Sequence, residues 1–307
     1  MVTQHFYVAA GGSTNDTMQL LFQPDAFLVT LVDNIVTAAA GNCPLGARVD
    51  ECGSYSEGGV VDVSDAFGAS LWTLDCMFTM ALNGLQGVNF HGGGLSPYSP
   101  LVDNGTVVTT VGPEFYGLKM FSLLPPGNVI PATVTVASTN FTAYGVRQAN
   151  GAISALLNNK DTGDTVAVTV NLGPNVAAAQ VTELTGPSLY STSGFTLGSA
   201  AINPNGSWNG GVQEVLAATN GQLTVNVPPI SAILLNPVLA PEIAFSVNAN
   251  QLTLNWPTNY AGWLLESNSI GLASGNWLPV PGSGNTNRVQ VTVQPGQSNV
   301  FYRLSPP

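Results

Sequence analysis

Pro125-Pro126-Gly127 is the feature that most restricts how this chain can fold. Proline fixes its own φ, removes a backbone donor and pushes the residue before it away from helix. No regular element is therefore expected to run through this tripeptide, and the patterns on its two sides differ. Upstream, short apolar runs alternate with segments of helical spacing. Downstream, apolar residues recur with period two.

In the upstream part, His5–Ala9 reads as a strand. Residues 16–21 and 24–40 carry helical apolar spacing, with Phe27, Leu28, Leu31 and Ile35 on one face and Gly41 just past the end. Residues 46–51 read as the next strand, ending at Glu51. Ser64 is the expected N-cap of a helix over Ala66–Leu82, with Asp65 in its first turn. Residues 87–90 give a third strand and 113–124 a last helix. A complete eight-unit (β/α) barrel needs about 250 residues, so residues 1–123 are expected to form a partial (β/α) barrel of about three units.

Residues 124–238 read as an antiparallel β-sandwich. Its expected strands are 132–137, 142–147, 152–158, 166–171, 178–184, 223–227 and 230–235, separated by turn signals such as Asn150-Gly151 and Asn220-Gly221. Prolines from Pro237 to Pro241 mark a second boundary, and residues 239–307 read as a small all-β accessory module. Trp256, Trp263 and Trp277 are expected in its core, with a sugar-stacking platform as the alternative.

Composition removes several functions. Lys and Arg number only 6 against 17 Asp and Glu, a net charge of -11 with no cationic cluster. Nucleic acid is thus an unsuitable partner. No apolar run approaches the roughly 20 residues of a membrane-spanning helix, so no membrane association is expected. Met1–Tyr7 lacks the basic region and the apolar core, about 7–15 residues long, of a secretory signal. It reads like the middle of a strand, and the sequence is expected to begin partway through a fold. Three cysteines without C-x-x-C spacing argue for buried free thiols and no zinc site. The Gly92–Gly94 run lacks the Lys and following helix of a phosphate loop, so neither nucleotide nor other cofactor is expected.

The acid Glu51 and the His-Gly loop at 91–94 sit where a barrel presents catalytic groups. The ordered motifs Arg48-Val49-Asp50-Glu51-Cys52-Gly53-Ser54-Tyr55, Gly58-Gly59, Val88-Asn89-Phe90-His91-Gly92-Gly93, Tyr98-Ser99-Pro100 and Pro113-Glu114-Phe115-Tyr116-Gly117 resemble glycoside hydrolase family 79. That family includes β-glucuronidases and heparanase-like enzymes. The resemblance continues into the sandwich at Gln148-Ala149-Asn150-Gly151 and Pro228-Pro229-Ile230-Ser231-Ala232, and leaves residues 239–307 outside.

The resemblance implies a retaining enzyme in which Glu51 is the nucleophile on the seventh barrel strand. A second carboxyl about 5–5.5 Å away protonates the leaving group in such enzymes. The family's strand-four Glu has no counterpart here. Asp50, as the neighbour of Glu51 in a strand, should point to the opposite face, while Glu57 shares its loop. The resemblance further implies substrate contacts from His5, Tyr7, Tyr55, Gly58, His91 and Tyr98. Gly53 stands where the family usually carries Asn. The implied function is hydrolysis of β-linked glycosides, among them glucuronides. The alternative is a non-catalytic carbohydrate-binding or structural fragment of a larger glycosidase. A carbohydrate partner, a homo-oligomer covering the open barrel edge, and an extracellular or periplasmic setting in a bacterium complete the expectation.

Overall fold

The structure is a computed structural model that describes residues 1–307 except 13, 14, 16, 137–139, 273, 274, 295, 297, 298 and 307. Asp16 and Ala137, at the ends of two expected elements, lie outside the described residues. Strands β1 (Val2–Ala9), β2 (Ala47–Tyr55) and β3 (Val88–Phe90) form a parallel sheet in that order. Helices α1 (Met18–Leu21) and α2 (Ala26–Ala39) connect β1 to β2, and α3 (Gly68–Leu82) connects β2 to β3. An unanticipated hairpin, β4 (Leu101–Asp103) and β5 (Val108–Val111), then leads into α4 (Pro113–Phe121).

Helix α2 starts where Asp25 accepts the Leu28 N–H at 2.9 Å, an N-cap bond. It buries Leu28, Leu31, Val32, Ile35 and Ala39. Phe27, counted with that face, instead lies at its exposed margin and stacks on Phe6. Helix α3 is buried along nearly its whole circumference, as a helix apolar all round must be. Ser64 does not cap it. The Phe67 and Gly68 N–H groups are taken by the Ser191 and Leu189 carbonyls of the following domain. Those tertiary partners satisfy the open helix end, and Ser64 Oγ is free to accept the Val60 N–H at 2.9 Å.

Beyond the Pro-Pro-Gly break come β6 (Asn128–Pro131), β7 (Phe141–Arg147), β8 (Ile153–Asn159), β9 (Val166–Asn171), β10 (Val176–Thr185), β11 (Thr196–Leu197), β12 (Glu214–Ala217), β13 (Gln222–Val227) and β14 (Ser231–Leu239). The large sheet runs β11-β10-β14-β8-β7-β6, with β12 also on β10, and β13-β9 forms a second layer. All the pairings in these sheets are antiparallel. Leu157, Val181, Ile233 and Leu235 fill the space against Leu223, Val225 and Val227 of β13. The opposite face, through Val146, Leu156, Leu184 and Leu234, joins a core shared with α3, β1 and β2. A carboxylate pins this contact. Asp75 of α3 accepts from Thr142 (2.6 Å), Tyr144 (3.0 Å) and Asn158 (2.9 Å), and its other oxygen meets Lys160 Nζ at 2.6 Å.

The last module holds β15 (Ala244–Asn248), β16 (Gln251–Asn255), β17 (Leu264–Asn268), β18 (Leu278–Pro279), β19 (Arg288–Thr292) and β20 (Phe301–Ser305). They form two three-stranded sheets, β15-β16-β19 and β18-β17-β20. Trp256 and Trp263 are core residues beside Leu254, Leu265 and Leu304, which removes them from a sugar platform. Trp277 is half-buried, with the Arg303 guanidinium 4.4 Å from its ring centre.

Candidate active site

Side chains alternate along β1, so burial of Phe6 turns His5 and Tyr7 to the opposite, open face. Strand β2 does not keep such a simple alternation. Its register with β1 passes from Gln4 opposite Val49 to His5 opposite Glu51, so Asp50 is the extra residue of a β-bulge. The bulge overturns the expectation that Asp50 faces away from Glu51. His5 lies between the two acids, with Nε2 3.8 Å from Asp50 Oδ1 and Nδ1 3.5 Å from Glu51 Oε1. Glu51 also sits mid-strand rather than at a strand end, because β1 continues to pair with β2 as far as Tyr55.

The Tyr7 hydroxyl donates to Glu51 Oε1 at 2.7 Å. Burial, then the bond to Glu51, push the Tyr7 hydroxyl well above its ordinary value, so it remains a neutral donor. The Glu51 side chain keeps about a third of its surface open (32%). A carboxylate held at one oxygen and reachable from solvent is suited to nucleophilic attack.

His91 follows β3, and its Nδ1 shares a 2.6 Å hydrogen bond with the Tyr98 hydroxyl. The rings meet edge to face at 5.2 Å, and Tyr98 in turn lies 6.0 Å from Tyr7. Burial raises the Tyr98 pKa. Four of the expected site residues, with Glu51, therefore form one contiguous group: His5, Tyr7, Tyr98 and His91. Gly53 explains its departure from the family pattern here. A Cβ at this position would stand 3.0 Å from Tyr7 Cε1 and 3.5 Å from Tyr98 Cδ1, so glycine lets the two rings approach the strand.

Tyr55 is corrected. It is fully buried, and its hydroxyl donates to the Thr17 carbonyl at 2.8 Å, so it does not face a substrate. The last residue of β2, it is enclosed by the stretch that leads into α1. Gly58 lies in the turn after β2, where Glu57, Gly58 and Gly59 all have positive φ. Only Gly fits at 59, since a Cβ would come within 2.9 Å of the Tyr98 nitrogen and of Ser64. The turn holds Tyr98 through its N–H to the Gly58 carbonyl at 3.4 Å. Glu57 is exposed. Cys43, Cys52 and Cys76 are free thiols, Cys52 and Cys76 buried against each other. Among the described residues no group of three or more His, Cys, Asp or Glu is placed to hold a metal ion.

Glu114 escaped functional notice in the sequence. It lies in the first turn of α4 after Pro113, within a motif that bears only on the family resemblance. It is fully buried, and its Oε1 accepts the Ser54 N–H at 3.3 Å.

Residues 143–234 match the family model of the glycosyl hydrolase family 79 C-terminal beta domain, in keeping with the resemblance read from the motifs. Among solved structures, a 4-O-α-L-rhamnosyl-β-D-glucuronidase from Fusarium oxysporum, in complex with Rha-GlcA, is 20% identical at a TM-score of 0.61. The alignment covers 76% of this chain and 52% of that one. An arabinofuranosidase from Xanthomonas axonopodis pv. citri is 14% identical at a TM-score of 0.50, covering 77% and 52%. A further arabinofuranosidase is 13% identical at 0.52, with coverage of 77% and 52%. The likeness at these identities is one of fold, that of glycoside hydrolases. The chain spans about half the length of each of these structures. No curated protein matches the chain in sequence.

Proposed function

We propose that this chain is the C-terminal part of a retaining β-glycosidase of the family-79 type, with Glu51 as nucleophile. The observation that carries the reading is the 2.7 Å bond from Tyr7 to a half-open Glu51 on the uncovered face of a parallel sheet. Tyr7 holds one carboxylate oxygen, and the second attacks the anomeric carbon. The bond from that carbon to the leaving oxygen breaks as the ester to Glu51 forms. Water then cleaves the ester, and the sugar leaves with its original configuration. His5, His91 and Tyr98 line the sugar site, and Gly58 offers backbone to it. A uronate-containing β-glycoside is the substrate class suggested by the family and by the glucuronidase among the structural neighbours.

The leaving oxygen needs a proton from a second carboxyl, and Asp50 and Glu57 are poorly suited. Asp50 shares the imidazole of the nucleophile, and Glu57 points from an exposed turn. In this reading the three β/α units belong to a longer (β/α) barrel whose other units supply the acid. Those units cover the free edges of β1 and β3, either from more of the same polypeptide or from a second copy of the chain.

The test is hydrolysis of nitrophenyl β-glycosides, whose leaving group needs little protonation. General acid catalysis supplies about 10²–10⁴-fold, so the chain is expected to act on these substrates in preference to native linkages. Glu51→Gln is expected to abolish that activity. Equal rates in the variant and the parent would remove Glu51 from the reaction.

A further inference from the structure

Strand β3 ends at Phe90, whereas its neighbour β2 continues to Tyr55. The last bond between them is the His91 N–H to the Cys52 carbonyl at 2.7 Å. Backbone groups on one strand alternate sides, so Ser54, two residues past Cys52, aims its N–H at the same side. No strand remains there to receive it. A buried N–H left without an acceptor is destabilising. The acceptor present is Glu114 Oε1, brought in from the first turn of α4. Gly112, which precedes that turn, packs so closely on the Ser99 carbonyl that a Cβ would lie 2.3 Å from it. The Gly112 N–H also bonds the Pro100 carbonyl at 2.8 Å. The loop carrying His91 and Tyr98 and the helix carrying Glu114 are thus tied together.

We propose that Glu114 is a positioning residue of the candidate site: its buried side chain replaces β3 along the end of β2 and so lets the His91 loop leave the sheet and arch over Glu51. The inference rests on the reading of His91 and Glu51 as parts of one site, but not on hydrolysis taking place. The chemistry of the position agrees with a neutral carboxyl. Glu114 has no exposed surface, its Oε2 has no hydrogen-bond partner, and burial drives its pKa well upward against the smaller lowering by Ser54. The titratable groups that face it are the Cys52 thiol on β2 and the Tyr98 hydroxyl on the loop, both raised by burial and neutral. No cation is among the groups that act on it.

The chain holds only two histidines, one on each side of the site, which makes imidazole NMR a direct readout. Glu114→Gln keeps a neutral carbonyl acceptor and is expected to leave the His5 and His91 ring signals of the full chain where they are. Glu114→Leu removes the acceptor at similar volume and is expected to displace the His91 signals while His5, across β1, keeps its own. Unmoved His91 signals in a folded Glu114→Leu chain would overturn the proposal, as would equal displacement in Glu114→Gln. If the leucine variant does not fold, amide hydrogen exchange of the parent decides. The Ser54 N–H, bonded to Glu114, is expected to exchange as slowly as the His91 N–H bonded to Cys52, and rapid exchange at Ser54 in the folded chain would overturn the proposal. None of these readouts uses glycoside cleavage, so an inactive chain leaves the test intact.

Discussion

Two acidic side chains of the β/α part, Asp75 and Glu51, show opposite uses of a carboxylate. Asp75 faces the large antiparallel sheet and is bound by three donors on one oxygen and the Lys160 ammonium on the other. Glu51 faces the open side of the sheet and has one hydroxyl donor and an imidazole. An acid with every oxygen bonded ties α3 to the strands that follow and has no oxygen to spare. An acid with an unspent oxygen and an approach from solvent suits the nucleophile role proposed for Glu51. The comparison separates the residues that should govern stability from those that should govern chemistry.

The largest effect should come from Asp75→Ala. It leaves Lys160, whose side chain is 1% exposed, buried without its counter-charge. Loss of one partner of a buried pair costs about 3–5 kcal/mol, so a urea melt should show a large fall in the midpoint. An unchanged midpoint would mean that the pin is idle.

Next, Glu51→Gln should remove hydrolysis while shifting stability by only about 0.5 kcal/mol, the usual range for surface changes. A large loss of stability in this variant would erase the distinction drawn between the two acids. Tyr7→Phe deletes a hydrogen bond to a charged group, worth about 1.5–3 kcal/mol. Through the orientation of the proposed nucleophile, kcat should fall by roughly 10–100-fold. The pKa of Tyr7 is raised in the folded state, so the stability from its neutral hydroxyl is complete below the ordinary value of 10.0. Above 10.0 it is lost progressively as the pH climbs toward the higher folded value. Parent and Tyr7→Phe melts should therefore keep a constant separation from neutral pH up to about pH 10.0 and converge above it.

The smallest effect belongs to the accessory module. Arg303 is half exposed in its 2.7 Å pair with Glu266, and such pairs contribute about 0–1 kcal/mol. Arg303→Gln should lower the midpoint slightly, and high salt should weaken the difference further.

Much of the secondary structure was legible because periodicity depends on local chemistry. The α2 pattern, the β9 run Val166–Asn171 and the β8 and β10 strands all lie close to where alternation or helical spacing puts them. The failures have tertiary causes. Ser64 looked like a cap, but the Leu189 and Ser191 carbonyls, more than a hundred residues away, took that work. The β4–β5 strands, three and four residues long, are too short to establish a period. At the site, His5, Tyr7, Glu51, His91 and Tyr98 were readable as motifs, whereas the bulge at Asp50 was not. A bulge is a property of how two strands match, and neither strand encodes it alone.

The sequence by itself determined the break at Pro125-Pro126-Gly127, the change of period across it and the identity of the polar residues near Glu51. Those follow from backbone restriction and side-chain chemistry, which each residue carries with it. Only the tertiary structure decided that Asp50 joins Glu51 at His5, that Tyr55 and Glu114 are buried and that Asp75 pairs with Lys160. Burial and hydrogen-bond partners are contributed by distant segments, and they alone decide whether a carboxyl is a surface charge, a pin or a reactive group.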